Sequence, residues 1–129
     1  MTTETVVSGT IPICTHSATV LMDTGSTQSF VSHRFAILLD VPLEELGYVL
    51  FVVVSLGPPM FSSHVYRNCK IHVNNRELTV NLIPLAIQHF DVILGMDWLA
   101  ENHGVIDCDC KVVLSKRQTM NHIHSKELE

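Results

Sequence analysis

The stretch Val20–Phe30, which reads VLMDTGSTQSF, places an acid directly after three apolar residues. Gly25 lets the backbone turn sharply and approach the chain that lies opposite it. Thr24 and Ser26 supply hydroxyl groups that can hydrogen-bond a carboxylate or fix a neighbouring loop. Two interpretations of Asp23 follow: a turn residue at the end of a strand, because Asp and Gly are common in turns, or the working acid of an enzyme. The apolar residues before it and the hydroxyl groups after it favour a carboxylate held rigidly at a site.

A second motif further along the chain favours the enzyme. The segment His89–Leu99 reads HFDVILGMDWL, an apolar strand that ends at Gly95 and leads into a helical pattern. The DTGS sequence after an apolar strand resembles the signature of the aspartic proteases. The ordered pair of motifs resembles the protease domain of gypsy-type LTR retrotransposons, a branch of the retropepsins, over residues 18–115.

This resemblance implies an all-β fold: a retropepsin-like closed β-barrel with one or two short helices and a single lobe per chain. It assigns catalysis to Asp23, Thr24 and Gly25, with Thr24 hydrogen-bonding across a two-fold axis. The supporting residues that it implies are Ser26, Leu94 and Gly95. Ser26 would bond the outer oxygen of the catalytic carboxyl group, and the strand before Gly95 would pack behind the catalytic loop. The resemblance implies no cofactor.

The chain carries only one D-[ST]-G sequence. An aspartic protease needs two carboxyl groups that share one proton, because two like charges about 3 Å apart cannot both ionise. Five further aspartates lack the setting of Asp23: Asp40, Asp91, Asp97, Asp107 and Asp109. The second carboxyl group is therefore expected from another copy of the chain, in a C2 homodimer.

Members of this family cover the cleft with a mobile hairpin, the flap, which by order in the chain falls between Tyr48 and Val73. The expected tip lies in SLGPPMFSS, and the flap residues that could contact substrate are Leu56, Gly57, Pro58, Pro59 and Met60. Retroviral flaps carry several glycines at this tip, whereas this segment has Gly57 and two prolines. An ordinary surface loop is the alternative interpretation.

Strand patterns dominate the rest of the sequence. The predicted strands are Thr5–Cys14, Ala18–Met22, Tyr48–Ser55, Val65–Val73, Glu77–Leu85 and the short segments FDVILG, VIDC and KVVLS. Turns are predicted at Thr15–Ser17 and at Asn74-Asn75, which suits a tight hairpin. Apolar spacing predicts one helix over Ser29–Leu39, with Thr27 or Ser29 as its N-cap. A second helix is predicted from Met96 and ends at Gly104.

Length and charge limit the function classes. The chain has 129 residues and a net charge of −5, which predicts one domain and argues against binding nucleic acid, since that needs clustered Lys and Arg. The basic pair Lys116-Arg117 is typical of a solvated tail. The longest strongly apolar run, Tyr48–Val54, is far shorter than the roughly 20 residues of a membrane-spanning helix. No export signal is seen, so the four cysteines are expected to be reduced thiols.

The final two residues, Leu128-Glu129, resemble a cloning scar, so the expected protease domain is residues 1–127 and residues 128–129 are left outside it. Metal binding is not predicted. The candidate ligands near the end of the chain lack the paired spacing of a zinc site: His103, Cys108, Cys110, His122 and His124. We expect the last two histidines to lie on a loose tail.

The expected function is that of an aspartic endopeptidase, active as a homodimer on an extended peptide or polyprotein. The resemblance implies that the natural substrate is the Gag-Pol polyprotein of the element, cut between apolar residues. It also implies a cytoplasmic location, within particles that the element encodes. The alternative is a non-catalytic dimerisation or peptide-binding module that kept the fold.

Overall fold

The computed structural model describes residues 4–54, 58–109, 112–117 and 123–128. Nine strands and two helices lie in this part of the chain. In order they are β1 (Glu4–Ile13), β2 (His16–Met22), β3 (Phe30–Ser32), α1 (His33–Ala36), β4 (Leu43–Val54), β5 (Met60–Val73), β6 (Arg76–Leu85), β7 (Val92–Leu94), α2 (Met96–Asp109), β8 (Val112–Arg117) and β9 (Ile123–Leu128). Within the described ranges, no helix is long and apolar enough to cross a membrane.

Six of the strands close into a barrel. The strands follow one another in the order β1-β2-β7-β3-β6-β5, and β5 pairs again with β1. Ile13 lies opposite Ile71 at this closing seam, and the backbone N–H of Cys14 donates to the carbonyl oxygen of Lys70 at 2.8 Å. The expected closed barrel in a mostly β fold is therefore confirmed.

Two tight hairpins build the barrel walls. Val73 pairs with Arg76 across the loop Asn74-Asn75, and both asparagines have positive φ, at 57° and 63°. Two positive φ values match a type I′ turn, whose twist suits the flanking strands. The other predicted turn is displaced: Ile13 pairs with His16, so the loop consists of Cys14 and Thr15. His16 and Ser17 extend β2 instead, because they continue the antiparallel pairing with β1.

The helix predicted over Ser29–Leu39 is largely wrong. Phe30–Ser32 forms a buried strand, β3, which pairs with both β6 and β7. Only His33–Ala36 is helical, and its N-cap is Ser32, whose Oγ accepts a hydrogen bond from the backbone N–H of Phe35 at 3.0 Å. The pairing of β3 with two neighbours overrides the helical spacing of the apolar residues.

The predicted end of the second helix at Gly104 is also wrong. Helical backbone continues to Asp109, so the segment Val105–Cys108, predicted as a strand, is helical. The irregularity lies earlier, at Asn102, with φ −118° and ψ 22°. The side-chain amide of Asn102 donates to the carbonyl oxygen of Trp98 at 2.9 Å, and such bonding by Asn competes with regular helix bonding.

The segments expected to form a solvated tail lie in strands. Lys116 and Arg117 end β8, which pairs with β1. His124 belongs to β9, which pairs antiparallel with β4 over six residue pairs, and His122 lies outside the described residues. These segments form strands through backbone hydrogen bonds to β1 and β4, which the hydrophobicity of their side chains does not predict.

The apolar side chains form two clusters. The barrel cluster fills the inside of the barrel and includes Trp98 and Leu99 of α2. The hairpin cluster joins the β4–β5 hairpin to the barrel wall, and its buried members are Leu21, Phe30, Leu50, Val52, Val65, Ile83, Leu85 and Ile93. The hairpin cluster holds the β4–β5 hairpin beside the strands that carry both sequence motifs.

Candidate active site

Asp23 lies directly after the last residue of β2, where that strand runs parallel to β7. Met22 pairs with Leu94, and the backbone N–H of Asp23 donates to the carbonyl oxygen of Leu94 at 2.9 Å. Parallel strands end at the same edge of a sheet, so Asp23 and Gly95 follow their strands at the same level. The two sequence motifs therefore meet at one point of the fold.

The turn after Asp23 holds its carboxyl group. The backbone N–H of Gly25 donates to Oδ1 of Asp23 at 2.9 Å, and the N–H of Ser26 donates to the carbonyl oxygen of Asp23 at 3.1 Å. Oδ2 is buried, while Thr24 and Gly25 are exposed. A Cβ atom at position 25 would lie 3.2 Å from Oδ1, so Gly25 permits the close approach of the backbone to the carboxyl group.

Ser26 is fully buried, but its hydroxyl group does not donate to the carboxyl group of Asp23. It donates to the carbonyl oxygen of Gln28 at 2.7 Å. A hydroxyl group has a single proton to donate, so the expected donation from Ser26 to the outer carboxyl oxygen is absent in the single chain. Ser26 instead fixes the shape of the loop of residues 23–29, which is named the catalytic loop after the role that the family resemblance implies for Asp23.

Gly95 supports this loop from behind. A Cβ atom at position 95 would lie 2.2 Å from the carbonyl oxygen of Gln28 and 2.7 Å from that of Ser26. The next residue, Met96, donates its backbone N–H to the carbonyl oxygen of Ser26 at 2.7 Å. A side chain at position 95 would clash with these carbonyl oxygens, so Gly95 allows the second motif to pack closely against the first.

Ser29 and Asp97 form a further link that the sequence analysis did not assign to the site. The buried hydroxyl group of Ser29 accepts the backbone N–H of Gly95 at 2.9 Å and donates to Oδ1 of Asp97 at 2.7 Å. From the sequence, Ser29 is only a possible N-cap, and Asp97 is one of five aspartates that lack the setting of Asp23. A serine four residues after Gly25 and an acid two residues after Gly95 were the available signals, but only the fold brings them together.

Partial burial of the Asp97 carboxyl group raises its pKa, and hydrogen bonds from Ser29 and from backbone N–H groups oppose that rise. The rest of the side chain is exposed to solvent, which moderates the effect of burial. The first turn of α2 is held to β6 as well, because the indole N–H of Trp98 donates to the carbonyl oxygen of Thr79 at 3.1 Å.

The carboxyl group of Asp91 makes two structural contacts. Its Oδ2 accepts the backbone N–H of Thr19 at 2.8 Å, and its Oδ1 pairs with Arg34 at 3.3 Å. This carboxyl group ties the segment before β7 to β2 and α1. Asp91 and Asp97 each have a structural role that accounts for their position.

The β4–β5 hairpin contains the segment expected to form the flap. Val52 pairs with Met60, which begins β5, and the Phe51 and Phe61 rings contact each other across the strands at a tilt of 50°, with centroids 5.0 Å apart. Pro58 and Pro59 are exposed, and Met60 is half-buried. Leu56 and Gly57 lie outside the described residues. Leu50 and Val52 of the hairpin belong to the same buried cluster as Leu21 and Ile93, so the hairpin packs on the strands that lead into Asp23 and Gly95.

Two thiols, those of Cys14 and Cys69, are buried and free. Cys14 and Cys69 make no disulfide, and burial raises the pKa of Cys69 to about 12, so this thiol stays protonated and unreactive near neutral pH. In the part of the chain that the structure describes, no group of three or more His, Cys, Asp or Glu side chains is arranged to hold a metal ion.

Comparison with protein families gives a match over residues 1–121 to the family of retroviral aspartyl proteases. Among solved structures, the EIAV protease complexed with the inhibitor HBY-793 is similar, with 17% identity, a TM-score of 0.59, and coverage of 74% of this chain and 86% of the other. The retroviral protease-like domain of Ddi1 from Leishmania major has 17% identity and a TM-score of 0.56, with coverage of 98% of this chain and 96% of the other. No curated protein matches the chain.

Proposed function

The chain belongs to the retroviral aspartyl protease family, and we propose that it is an aspartic endopeptidase that uses Asp23 as its working acid. One observation carries this proposal: the carboxyl group of Asp23 is held by the N–H of Gly25, on a loop whose backbone is bonded to Leu94 in the second motif. A rigid, partly buried carboxyl group on a parallel strand end is suited to acid–base chemistry. A turn residue without that role would not need the support of the second motif.

The proposed active form is a C2 homodimer. One chain contributes one D-[ST]-G loop, and a two-fold axis brings the same residue of two chains together. Two facing Asp23 carboxyl groups would share a proton, because both cannot ionise at close range. Thr24 is exposed beside Asp23 and is therefore available to hydrogen-bond across the axis.

The proposed reaction is the direct attack of water on a peptide bond. The ionised carboxyl group of the pair takes a proton from the water, and the protonated one donates to the carbonyl oxygen of the bond being cut. The resulting tetrahedral intermediate collapses with protonation of the leaving amine. This scheme requires neither a covalent enzyme intermediate nor a cofactor.

The proposed substrate is an extended peptide with apolar residues beside the bond that is cut. The strands that lead to Asp23 and Gly95 present Leu21 and Ile93 to the hairpin cluster, which favours apolar side chains near the site. Residues 56–60 at the end of the β4–β5 hairpin would close over the peptide and exclude water, which strengthens electrostatic interactions in the cleft. An extended chain between hairpin and floor would bind by adding a strand.

We propose that the natural substrate is the Gag-Pol polyprotein of a gypsy-type LTR retrotransposon, processed in the cytoplasm within particles of the element. The support is the segment that joins ILG directly to MDWL, which resembles that branch of the family. Cleavage of a Gag-Pol junction, but not of a scrambled peptide of the same composition, would support this narrower assignment.

A second candidate is a non-catalytic dimerisation or peptide-binding module. The fold similarity to a Ddi1 domain over almost the whole chain is compatible with this candidate, since one fold can carry different functions. In this case Asp23 would contribute nothing to peptide turnover, although the same cleft could hold an extended peptide.

Replacing Asp23 by Asn separates the two candidates. Peptide cleavage or self-processing at mildly acid pH should fall by roughly 10²–10⁴-fold, the range typical of general acid–base catalysis. The matched control is Asp40→Asn, which removes an exposed acid outside the loop and should leave cleavage unchanged. Equal cleavage by wild type and Asp23→Asn would rule out the catalytic assignment, whereas peptide binding without cleavage by wild type would favour the module.

A further inference from the structure

We propose that Ser29 and Asp97 are positioning residues, which orient the catalytic loop through a relay of two hydrogen bonds. This inference rests on the proposed function and extends it to residues outside the DTGS motif. Its basis is a chain of contacts: Gly95 N–H to Ser29 Oγ at 2.9 Å, and Ser29 O–H to Asp97 Oδ1 at 2.7 Å. The relay ties the far end of the catalytic loop to the first turn of α2.

The direction of the relay is fixed by the chemistry of its groups. A backbone N–H can only donate, so the oxygen of Ser29 must accept at Gly95. The hydroxyl proton then points away from Gly95 and needs an acceptor, which is the carboxyl group of Asp97. Asp97 thereby orients the hydroxyl group so that its lone pair faces Gly95.

The position of the relay makes it relevant to Asp23. The catalytic loop is bonded at its start to Leu94 through the Asp23 N–H and at its middle to Met96 through the Ser26 carbonyl oxygen. Ser29 supplies the bond at its end. The three bonds fall on consecutive residues of the second motif. The backbone carbonyl oxygen of Ser29 also accepts the N–H of Ile83 at 3.0 Å, so loss of the Ser29 hydroxyl group removes the link to the second motif at this end of the loop and leaves the link to β6.

Burial distinguishes the two partners. Ser29 is fully buried, and its loss would leave the N–H of Gly95 without this acceptor in a tightly packed place. Asp97 is exposed over much of its side chain, so its replacement leaves the core packing in place. The relay can therefore be broken from its outer end without disturbing the barrel cluster.

The test compares Ser29→Ala, Asp97→Ala, the double variant and Asp97→Asn in peptide cleavage. A misplaced reacting group can lower the rate on the order of 10²-fold, so we expect each alanine variant to lower kcat by a factor of that order, with KM within a few-fold of wild type. The double variant should be no slower than the slower single variant, because both changes break one relay. Asp97→Asn should retain most of kcat, since the amide oxygen still accepts the Ser29 proton.

Ser32→Ala is the matched control, because Ser32 is also a fully buried serine and caps α1 through the N–H of Phe35. It should lower thermal stability without lowering kcat. A Ser29→Ala variant that behaves like Ser32→Ala, or losses of Ser29 and Asp97 that multiply, would overturn the positioning role. Amide hydrogen exchange at Gly95 should be faster in Ser29→Ala than in wild type, and unchanged exchange would overturn the relay itself.

The outcomes separate this inference from the proposed function. If wild type and Asp23→Asn cleave equally, the proposed function fails and the positioning role fails with it. If wild type cleaves, Asp23→Asn does not, and Ser29→Ala retains the wild-type kcat, only the positioning role fails.

Discussion

The backbone N–H of Asp23 donates to the carbonyl oxygen of Leu94 at 2.9 Å, and this bond joins the two motifs of the sequence. Leu94 ends β7, and the residue after it is the glycine that closes against the catalytic loop. Because β2 leads into Asp23 and β7 leads into Gly95, this bond fixes the backbone of Asp23 relative to the second motif.

Activity should depend on two copies of Asp23. Mixing wild type with an excess of the Asp23→Asn variant should lower cleavage well beyond simple dilution, because each mixed dimer loses one carboxyl group of the pair. The same excess of Asp40→Asn should not inhibit. Sedimentation should show a dimer whose fraction rises with concentration, and a strictly monomeric chain that still cleaves would contradict the shared site.

Gly95→Ala should damage both stability and activity. The added Cβ would meet the Gln28 carbonyl oxygen at 2.2 Å, and overpacking of this kind costs typically 1–3 kcal/mol. Because the clash pushes on the catalytic loop, kcat should fall as well. Denaturant unfolding and steady-state kinetics measure the two effects.

Gly47→Ala is the comparison for this prediction. Gly47 has a φ of +90° and no atom within 4 Å of its added Cβ, so the substitution costs roughly 1–2 kcal/mol through backbone conformation alone. It should leave kcat unchanged. A Gly95→Ala variant with wild-type kcat would show that the contact with Gln28 does not position the loop.

The packing of Leu50 in the hairpin cluster should affect both stability and substrate binding. Leu50 is fully buried in the hairpin cluster, so Leu50→Ala should lower the free energy of unfolding by roughly 2–5 kcal/mol and raise KM as the hairpin loosens. Val53 lies on the same strand and is 37% exposed, so Val53→Ala should change stability by less than about 0.5 kcal/mol. Equal KM values for wild type and Leu50→Ala would show that the packing of the hairpin does not affect substrate binding.

Asp97 should make stability depend on pH. Partial burial raises its pKa in the folded chain, so the folded state holds this proton more tightly than the unfolded state does. Its contribution to stability is therefore fully present below the ordinary pKa of 3.8 and is lost as pH rises through the raised value. Asp97→Asn should remove this loss and flatten that part of the stability profile, whereas an unchanged profile would mean that Asp97 titrates alike in both states.

The strand pattern and the central motif could be predicted from sequence because their signals are local. Asn74-Asn75 predicts a tight turn through the conformational preference of asparagine, and the alternating segments beside it form β5 and β6. Asp23 and Gly95 each follow a short apolar strand, and a parallel pair of such strands must bring them to one edge. The barrel closure then follows from the family resemblance rather than from any one segment.

The errors arise where tertiary contacts decide. Phe30–Ser32 has the spacing of a helix, yet it inserts between two strands and becomes β3. Val105 lies in a segment with strand-like composition that is helical. The link from Ser29 to Asp97 joins residues far apart in sequence, and no local pattern marks either as a partner of the other.

The number of inhibitor molecules bound per chain tests the central claim most directly. Calorimetric titration with a transition-state inhibitor of aspartic proteases should end at one molecule per two chains, because the proposed site is built from two copies of Asp23. Asp23→Asn should weaken this binding, and Asp40→Asn should not. Saturation at one inhibitor per chain, with Asp23→Asn binding as tightly as wild type, would contradict a shared site at Asp23.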